Sequence, residues 1–447
     1  MRLSPTCGLI ALLLAAPLAH GQELPAAPSS TAAPAAASAS DPVDLEDIRN
    51  FSRVYEVVRQ AYVEKVDNKT LMKAAITGML AGLDPHSEYL DKEGLAELTE
   101  DTTGAYSGLG IEVIEQDGQL RIVSPIDDTP AARAGIKPGD TIVKIDGKPV
   151  TEENIDAMFK DLRGEPGSKI TLTIVHDKSD QLIDLPLVRE KISVTSVRTR
   201  ELEPGYAYIR ISQFQEDTAS DLEKKLAELI ATHGQPKGAI LDLRSNPGGL
   251  LTAAVAVSDD LLDAGTIVTT RGRLADANMN FSAHPGDLLD GAPLVVVVDN
   301  GTASAAEIVS GALKDNHRAL IIGKRTFGKG VVQTVLPLDA EHAVKITTAR
   351  YYTPSGNSIQ AEGIKPDIAL ADLTVNKADS GPQLIISEAD LSHHLANEDG
   401  SSPKDTSNDG IAENARLATR DYTLAQALNV LKGLALNRAP AAVPAKR

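Results

Sequence analysis

The 447-residue chain has no tryptophan, a single cysteine (Cys7), and only 3% aromatic residues. One thiol excludes a disulfide framework and a thiolate zinc site, and no cysteine nucleophile can lie beyond the N-terminal segment. With so few aromatic faces, a base-stacking surface has little to be built from. Basic residues are scarce: 44 Lys and Arg stand against 62 Asp and Glu, a net charge of −18. That balance argues against a nucleic-acid partner, because phosphate binding draws on a basic field. Long apolar runs are lacking too. The run that begins at residues 9–14 is interrupted by Pro17 and is too short for a membrane span.

What is present begins with an expected export signal over residues 1–21. Arg2 supplies the positive region, and Ala19-His20-Gly21 is a small-x-small cleavage pattern. Cys7 precedes the apolar run, which is the wrong place for a lipid anchor. The mature chain is expected to carry no cysteine and no membrane span. Residues 22–44 are mostly Ala, Pro and Ser and read as a flexible tether.

Residues 45–98 turn helical. Ile48, Phe51, Val54, Tyr55 and Val58 fall at helix spacing, as do Leu71, Ala75, Ile76, Met79 and Leu80. The second helix is expected to stop at Gly82-Leu83-Asp84-Pro85. Such a pair is either a dimer handle or packed against the body, packing being the plainer reading.

Residues 99–190 read as short strands at 110–115, 120–123, 141–145, 170–175 and 182–188, with a turn at Asp117-Gly118 and a helix over 154–162. Residues 191–370 alternate strands (206–211, 239–243, 294–298, 319–322) with helices (222–230, 250–262, 305–313), which predicts an α/β sheet, largely parallel. Residues 371–418 look polar and irregular, and a final helix is expected over 424–436.

In α/β sheets, chemistry sits at the carboxyl ends of strands. One such end leads through Asp299-Asn300-Gly301-Thr302-Ala303-Ser304 into a helix. Ser304 and Glu307 form a capping-box pattern, and the same placement suits a nucleophile. The Ala305 amide, in the first helical turn, has no intrahelical partner and is available to an oxyanion. The Pro247-Gly248-Gly249 turn can aim a second amide at the same point, since glycine permits close backbone approach. A serine needs a base, and Lys329 serves if desolvation lowers its pKa. Gln333 would meet Lys329 on one helical turn. On a strand the two would be about 13 Å apart, and the glycines and β-branched residues here favour strand. Residues 323–329 match G-x-x-x-x-G-K, but residue 330 is Gly where a P-loop needs Ser or Thr, so a nucleotidase is set aside. The stretch from Asp405 resembles a calcium loop, but its twelfth position is Arg416 rather than Glu.

Taken in order, the motifs resemble the carboxyl-terminal processing proteases, over roughly residues 46–370. They are Gly82-Leu83-Asp84-Pro85-His86-Ser87, Gly108-Leu109-Gly110-Ile111, Ala134-Gly135-Ile136-Lys137-Pro138-Gly139-Asp140, Leu241-Asp242-Leu243-Arg244, Asn246-Pro247-Gly248-Gly249, Thr302-Ala303-Ser304-Ala305-Ala306-Glu307, Gly328-Lys329-Gly330 with Gln333, and Tyr351-Tyr352-Thr353-Pro354-Ser355-Gly356.

The resemblance implies a multidomain α/β protein. It would comprise an N-terminal helical region (45–98), a PDZ domain (99–190) inserted before an α/β protease core (191–370), and a C-terminal extension (371–447) with its final helix. It implies a serine endopeptidase with Ser304 as nucleophile, Lys329 as general base and Gln333 holding the lysine. The Ala305 amide and a glycine amide would form the oxyanion hole, Gly248 being the best match, with the choice between Gly248 and Gly249 open. No metal or cofactor is implied.

The amides of Leu109, Gly110 and Ile111 would capture a terminal carboxylate, with Ile155 and Met158 or Phe159 forming the pocket for the last side chain. Arg163 is a regulatory candidate, carrying contacts between PDZ domain and core. Expected partners are proteins with unstructured C-terminal tails, in the periplasm or otherwise outside the membrane. The terminal helices would mediate self-association or bind an adaptor. The alternative is a PDZ scaffold or adaptor with a silent protease fold.

Overall fold

The computed structural model describes residues 43–116, 118–126, 128–176, 181–193, 195–371, 373, 375 and 407–437. The expected export signal, the tether up to residue 42, Asp117 of the expected turn and the start of the calcium-like stretch at Asp405 lie outside them. The chain divides into two compact units between Met72 and Lys73.

In the first unit, Asp44 caps the helix Leu45–Ala61, its carboxylate accepting the Glu46 N–H at 3.0 Å. Glu46 and Asp47 in the first turn and Arg59 in the last complement the helix dipole. No residue of this helix is buried, and Phe51 is 51% exposed. The expectation that packing covers its apolar stripe is therefore not met among the described residues.

In the second unit, the apolar runs build a six-stranded sheet in the order Val197–Glu203, Tyr206–Ile211, Gly238–Asp242, Leu294–Val298, Ala319–Gly323, Ile368–Ala369. The first pair is antiparallel and the others are parallel. Gly238–Asp242 and Leu294–Val298 are buried throughout, which explains their unbroken apolar sequence: a central parallel strand is covered on both faces. On one face Leu241, Val296 and Val298 pack with the helices Thr218–His233, Leu251–Asp259 and Ala305–Asp315. On the other, Ile240, Val295, Val297 and Ile322 meet Leu424, Ala427, Leu428 and Leu431 of the helix Tyr422–Asn437. The C-terminal helix is thus the cover of the second face.

The preceding segment departs from expectation. Ser407–Arg420 is a helix rather than irregular chain. Its polar composition hides the fact that Leu417 packs on the same apolar cluster, and tertiary packing outweighs a weak local signal.

A second, antiparallel sheet joins Glu88–Leu90, Ala343–Tyr352, Thr266–Gly272 and Asn280–Ser282, with Val331–Pro337 also paired to Ala343–Tyr352. The small domain is an antiparallel sheet in the order Ile111–Gln116, Gln119–Pro125, Thr141–Ile145, Lys169–Val175, Leu182–Val188, closed over a core that includes Leu109, Leu120, Ile142 and Leu172. Ile111–Gln116 has a single neighbour and is an edge strand. Its entry and exit, Ala105–Gly108 and Glu190–Ser193, pair with each other, so the domain is an insertion on a two-stranded stalk. Among the described residues no helix is long and apolar enough to cross a membrane.

Candidate active site

Strand Leu294–Val298 delivers the chain to a turn that ends at Ser304, the residue before helix Ala305–Asp315. Ser304 has φ 53° and ψ −116°, a left-handed conformation that a non-glycine residue holds only when its surroundings impose it.

The constraint comes from Glu307, which is fully buried. One of its carboxylate oxygens, Oε2, accepts the N–H of Ser304 at 2.8 Å and the N–H of Lys329 at 2.9 Å. The other, Oε1, accepts the Gly328 N–H at 2.7 Å and the Thr326 hydroxyl. Burial pushes this carboxyl upward, and the four hydrogen bonds pull against that. The glutamate read from the sequence as a cap for Ser304 therefore also fastens the lysine segment to the serine turn.

Ser304, Ala305, Gly249, Lys329, Gln333 and Tyr351 line one cavity of about 360 Å³. The Ala305 N–H meets no acceptor among the described residues, and the same holds for Gly249. Gly248 differs. Its N–H is donated to the Asn246 side chain at 2.9 Å, so the best sequence match is already engaged and Gly249 is the glycine open to the cavity. Gly248 matters for another reason: a Cβ there would lie 2.7 Å from Ser304 Cβ and 3.0 Å from the Ala305 nitrogen, at a φ of 102°.

Lys329 is half-buried, and its ammonium pKa is pushed down, first by burial and then by Lys345, while Glu88 and Asp84 pull it back up. Gln333 lies on the strand Val331–Pro337, so the extended alternative is the one that forms. A bulge between Val332 and Gln333 shifts the register against Ala343–Tyr352, which re-aims the side chains on either side. Gln333 Nε2 donates to the Thr347 hydroxyl at 3.2 Å. Among the described residues, no hydrogen bond joins the Lys329 amine to Ser304 or to Gln333, although all three face the same cavity. The segment after Gly323 runs into a strand and not a helix, which removes the P-loop reading.

Three contributors escaped the sequence reading. The Tyr351 hydroxyl, almost wholly buried, donates to the Lys329 carbonyl and meets the Ser304 hydroxyl. Asp242 and Asp421 both hold Arg244, at 2.6 and 2.8 Å, just before the Asn246–Gly249 turn. Burial opposes the Arg244 charge, but the two carboxylates outweigh it and keep the guanidinium charged. Asp421 also accepts the Leu424 N–H at 2.9 Å, so the C-terminal helix is tied to the strand end beside the cavity. Tyr351 and Asp242 each stand in a motif without a stated role, and Asp421 is joined to Arg244 by a contact across 177 residues.

A second cavity, of about 260 Å³, lies on the small domain and is lined by Gly108, Leu109, Gly110, Ile111, Phe159 and Arg163, among others. The sequence-predicted peptide-binding residues thus come together along the edge strand. Ile155 and Met158 do not join them. They point into the domain core, each 6% exposed; of the expected pocket residues Phe159 lines the cavity, joined by Leu162. Three-residue steps along a helix keep one face inward, which carries Ile155 and Met158 to the core together. Arg163 bonds Glu100 of the helix Lys92–Thr103, which precedes the stalk, and lies 5.8 Å from the Tyr106 ring.

Comparison with known proteins matches this layout. Residues 205–370 match the model of peptidase family S41, residues 107–187 that of the PDZ domain, and residues 17–94 that of the activating protease CtpB N-terminal domain. The chain is 42% identical over 391 residues to a carboxy-terminal-processing protease of Bartonella bacilliformis, covering 87% of this chain and 89% of that protein. It is 37% identical over 330 residues to a probable CtpA-like serine protease of Staphylococcus aureus, covering 73% of this chain and 65% of that protein. Among solved structures it is similar to a photosystem II D1 C-terminal processing protease, at 32% identity and a TM-score of 0.43, covering 73% of this chain and 94% of that one.

Proposed function

Since the chain belongs to the carboxy-terminal-processing protease family, and is a serine-type peptidase with a PDZ domain, we propose that it cleaves proteins presented by their C-terminal tails, using Ser304 and Lys329. The neutral Lys329 amine takes the Ser304 hydroxyl proton as the oxygen attacks the scissile carbonyl. The Ala305 and Gly249 amides receive the oxyanion. The Lys329 ammonium then gives its proton to the departing amine, and water hydrolyses the acyl-enzyme by the same route. Gln333 orients the lysine. The observation that carries this reading is the convergence of a strained serine, a desolvated lysine and two open amides on one cavity.

For the tail, the amides of Leu109, Gly110 and Ile111 supply the carboxylate site, and the free edge of Ile111–Gln116 accepts the peptide as an added strand. Arg163, on the pocket rim and bonded to Glu100, links tail binding to the core. The enzyme acts after export. Its exposed N-terminal stripe serves self-association or an adaptor, which light scattering of the wild type and a Phe51→Glu variant checks.

The test pairs peptides that differ only in a free or an amidated C-terminus. Ser304→Ala and Lys329→Ala are expected to abolish turnover while retaining tail binding. Amidation is expected to weaken binding to the wild type. Full turnover by Lys329→Ala would refute the dyad, and equal binding of both peptides would refute tail recognition.

A further inference from the structure

The turn from Arg244 to Gly249 carries the glycine amide proposed to receive the oxyanion, and it is anchored differently along its length. At its far end Phe214 holds it: the Phe214 N–H donates to the Gly248 carbonyl and the Leu250 N–H to the Phe214 carbonyl, both at 2.8 Å. In the middle, buried Asn246 donates Nδ2 to the Ile211 carbonyl at 2.9 Å, and the Ser245 N–H reaches Asp299 Oδ1 at 2.7 Å. Ser245 has a φ of 51°, a left-handed conformation that a non-glycine residue keeps only where its surroundings impose it. At the near end stands Arg244. Its N–H and Nε both donate to Asp242 Oδ1 at 3.0 Å, but Asp242 is two residues away and belongs to the same strand end. Asp421 ties Arg244 to a distant element: Nη1 donates to Oδ1 at 3.0 Å and Nη2 to Oδ2 at 2.8 Å, a two-pronged pair.

Asp421 is itself fixed. It precedes the helix Tyr422–Asn437 and caps it, accepting the Leu424 N–H at 2.9 Å. Leu424, Leu428 and Leu431 of that helix are buried against the parallel sheet, so the carboxylate is presented from a packed element. Burial works against its charge, and the Arg244 guanidinium and the Leu424 N–H outweigh it, holding the carboxyl below its usual range. The guanidinium is thus clamped between the end of a central strand and the start of the C-terminal helix, and the clamp restrains strained Ser245 from its near side. With the clamp released, Ser245 can relax toward negative φ, which turns the peptides that follow and re-aims the Gly249 N–H. We infer that Asp421 is a positioning residue for the oxyanion site: joined through Arg244, the C-terminal helix holds the turn so that the Gly249 amide faces the cavity it lines. This rests on the reading above of Ser304 and Lys329 with the Ala305 and Gly249 amides.

The experiment measures kcat and KM for a fluorogenic peptide with a free C-terminus. Beside it stands the inhibition constant of a peptide boronic acid, whose boron bonds the Ser304 oxygen and sets a hydroxyl in the oxyanion position. Thermal melting checks folding. Asp421→Asn still caps the helix but loses the charge and one acceptor. It is expected to lose about tenfold in kcat with KM unchanged, and to weaken the boronate by a similar factor. Asp421→Ser, which keeps a cap and is too short to reach Arg244, is expected to lose more, and Asp421→Glu to recover part of the loss. In an Arg244→Met background, Asp421→Asn is expected to add no further loss. Should Arg244→Met fail to fold, the three Asp421 variants still decide. Wild-type kcat in Asp421→Ser, a fall in kcat with boronate affinity unchanged, or additive losses in the double variant would overturn the inference. Turnover by Lys329→Ala would instead overturn the dyad on which it rests.

Discussion

On the serine side of the cavity the backbone is strained and held from several directions; on the lysine side the backbone is tied down but the amine is not. Ser304 is held at positive φ by a buried carboxylate, with Gly248 packed against its Cβ. The Lys329 N–H reaches the same carboxylate, yet its amine sits half-buried among Lys345, Glu88 and Asp84, on the rim of an antiparallel sheet with a bulge. The difference teaches where tuning is cheap. The half proposed to receive the oxyanion is built into the strand ends and helix N-terminus of the parallel sheet. The half proposed to transfer the proton stands beside a second sheet, whose Lys345 and Glu88 bear on its charge.

The sharpest break of that contrast is Lys329→Ala against Gly248→Ala. The first removes the proposed base and should leave no turnover above background, with melting temperature nearly unchanged. The second keeps every reacting group but plugs the space beside the Ala305 amide. It should cost about 2.7–4 kcal/mol of transition-state stabilisation, read as a fall in kcat.

Next comes Glu307→Gln, which strikes both halves at once. An amide offers one acceptor oxygen where four donors converge, so roughly 2–4 kcal/mol of stability should be lost in denaturant titration, together with kcat. A smaller effect isolates the lysine side. Lys345 pushes the Lys329 pKa down, so Lys345→Met should raise it and move the acid limb of kcat/KM to higher pH, leaving the serine side untouched.

The smallest effect lies away from the cavity, at Asp260. Burial, Glu223 and Asp259 push its carboxyl up to about 7. A raised pKa means that the folded state keeps a proton the unfolded chain has released. The stability this gives is complete below the unfolded value and lost as pH rises through about 7. Asp260→Asn should therefore raise the melting temperature more at pH above that value than below it.

Much of the serine side was legible in the sequence. The buried run at Leu294–Val298, the turn to Ser304 and the S-x-x-E pattern are all local, and local patterns survive in one dimension. Gly248 and Gly249 could not be separated, because only the Asn246 side chain decides which amide is open. The lysine side was half legible. The β-branched residues after Gly330 announced a strand, but the bulge and the Thr347 partner of Gln333 depend on pairing with Ala343–Tyr352. Thr347 carries no pattern at all, since its anchor, Ser87, comes from 260 residues earlier in the chain. The helix Ser407–Arg420 was missed for the same reason: its apolar anchor is a surface made by other segments.

The positive φ of Ser304 has one further consequence. A side chain there works against the local conformational preference, and glycine would not. Replacing the proposed nucleophile by glycine should silence the protease and at the same time relax this bend. The dead enzyme would be hardier than the living one, well suited to hold captured substrates intact.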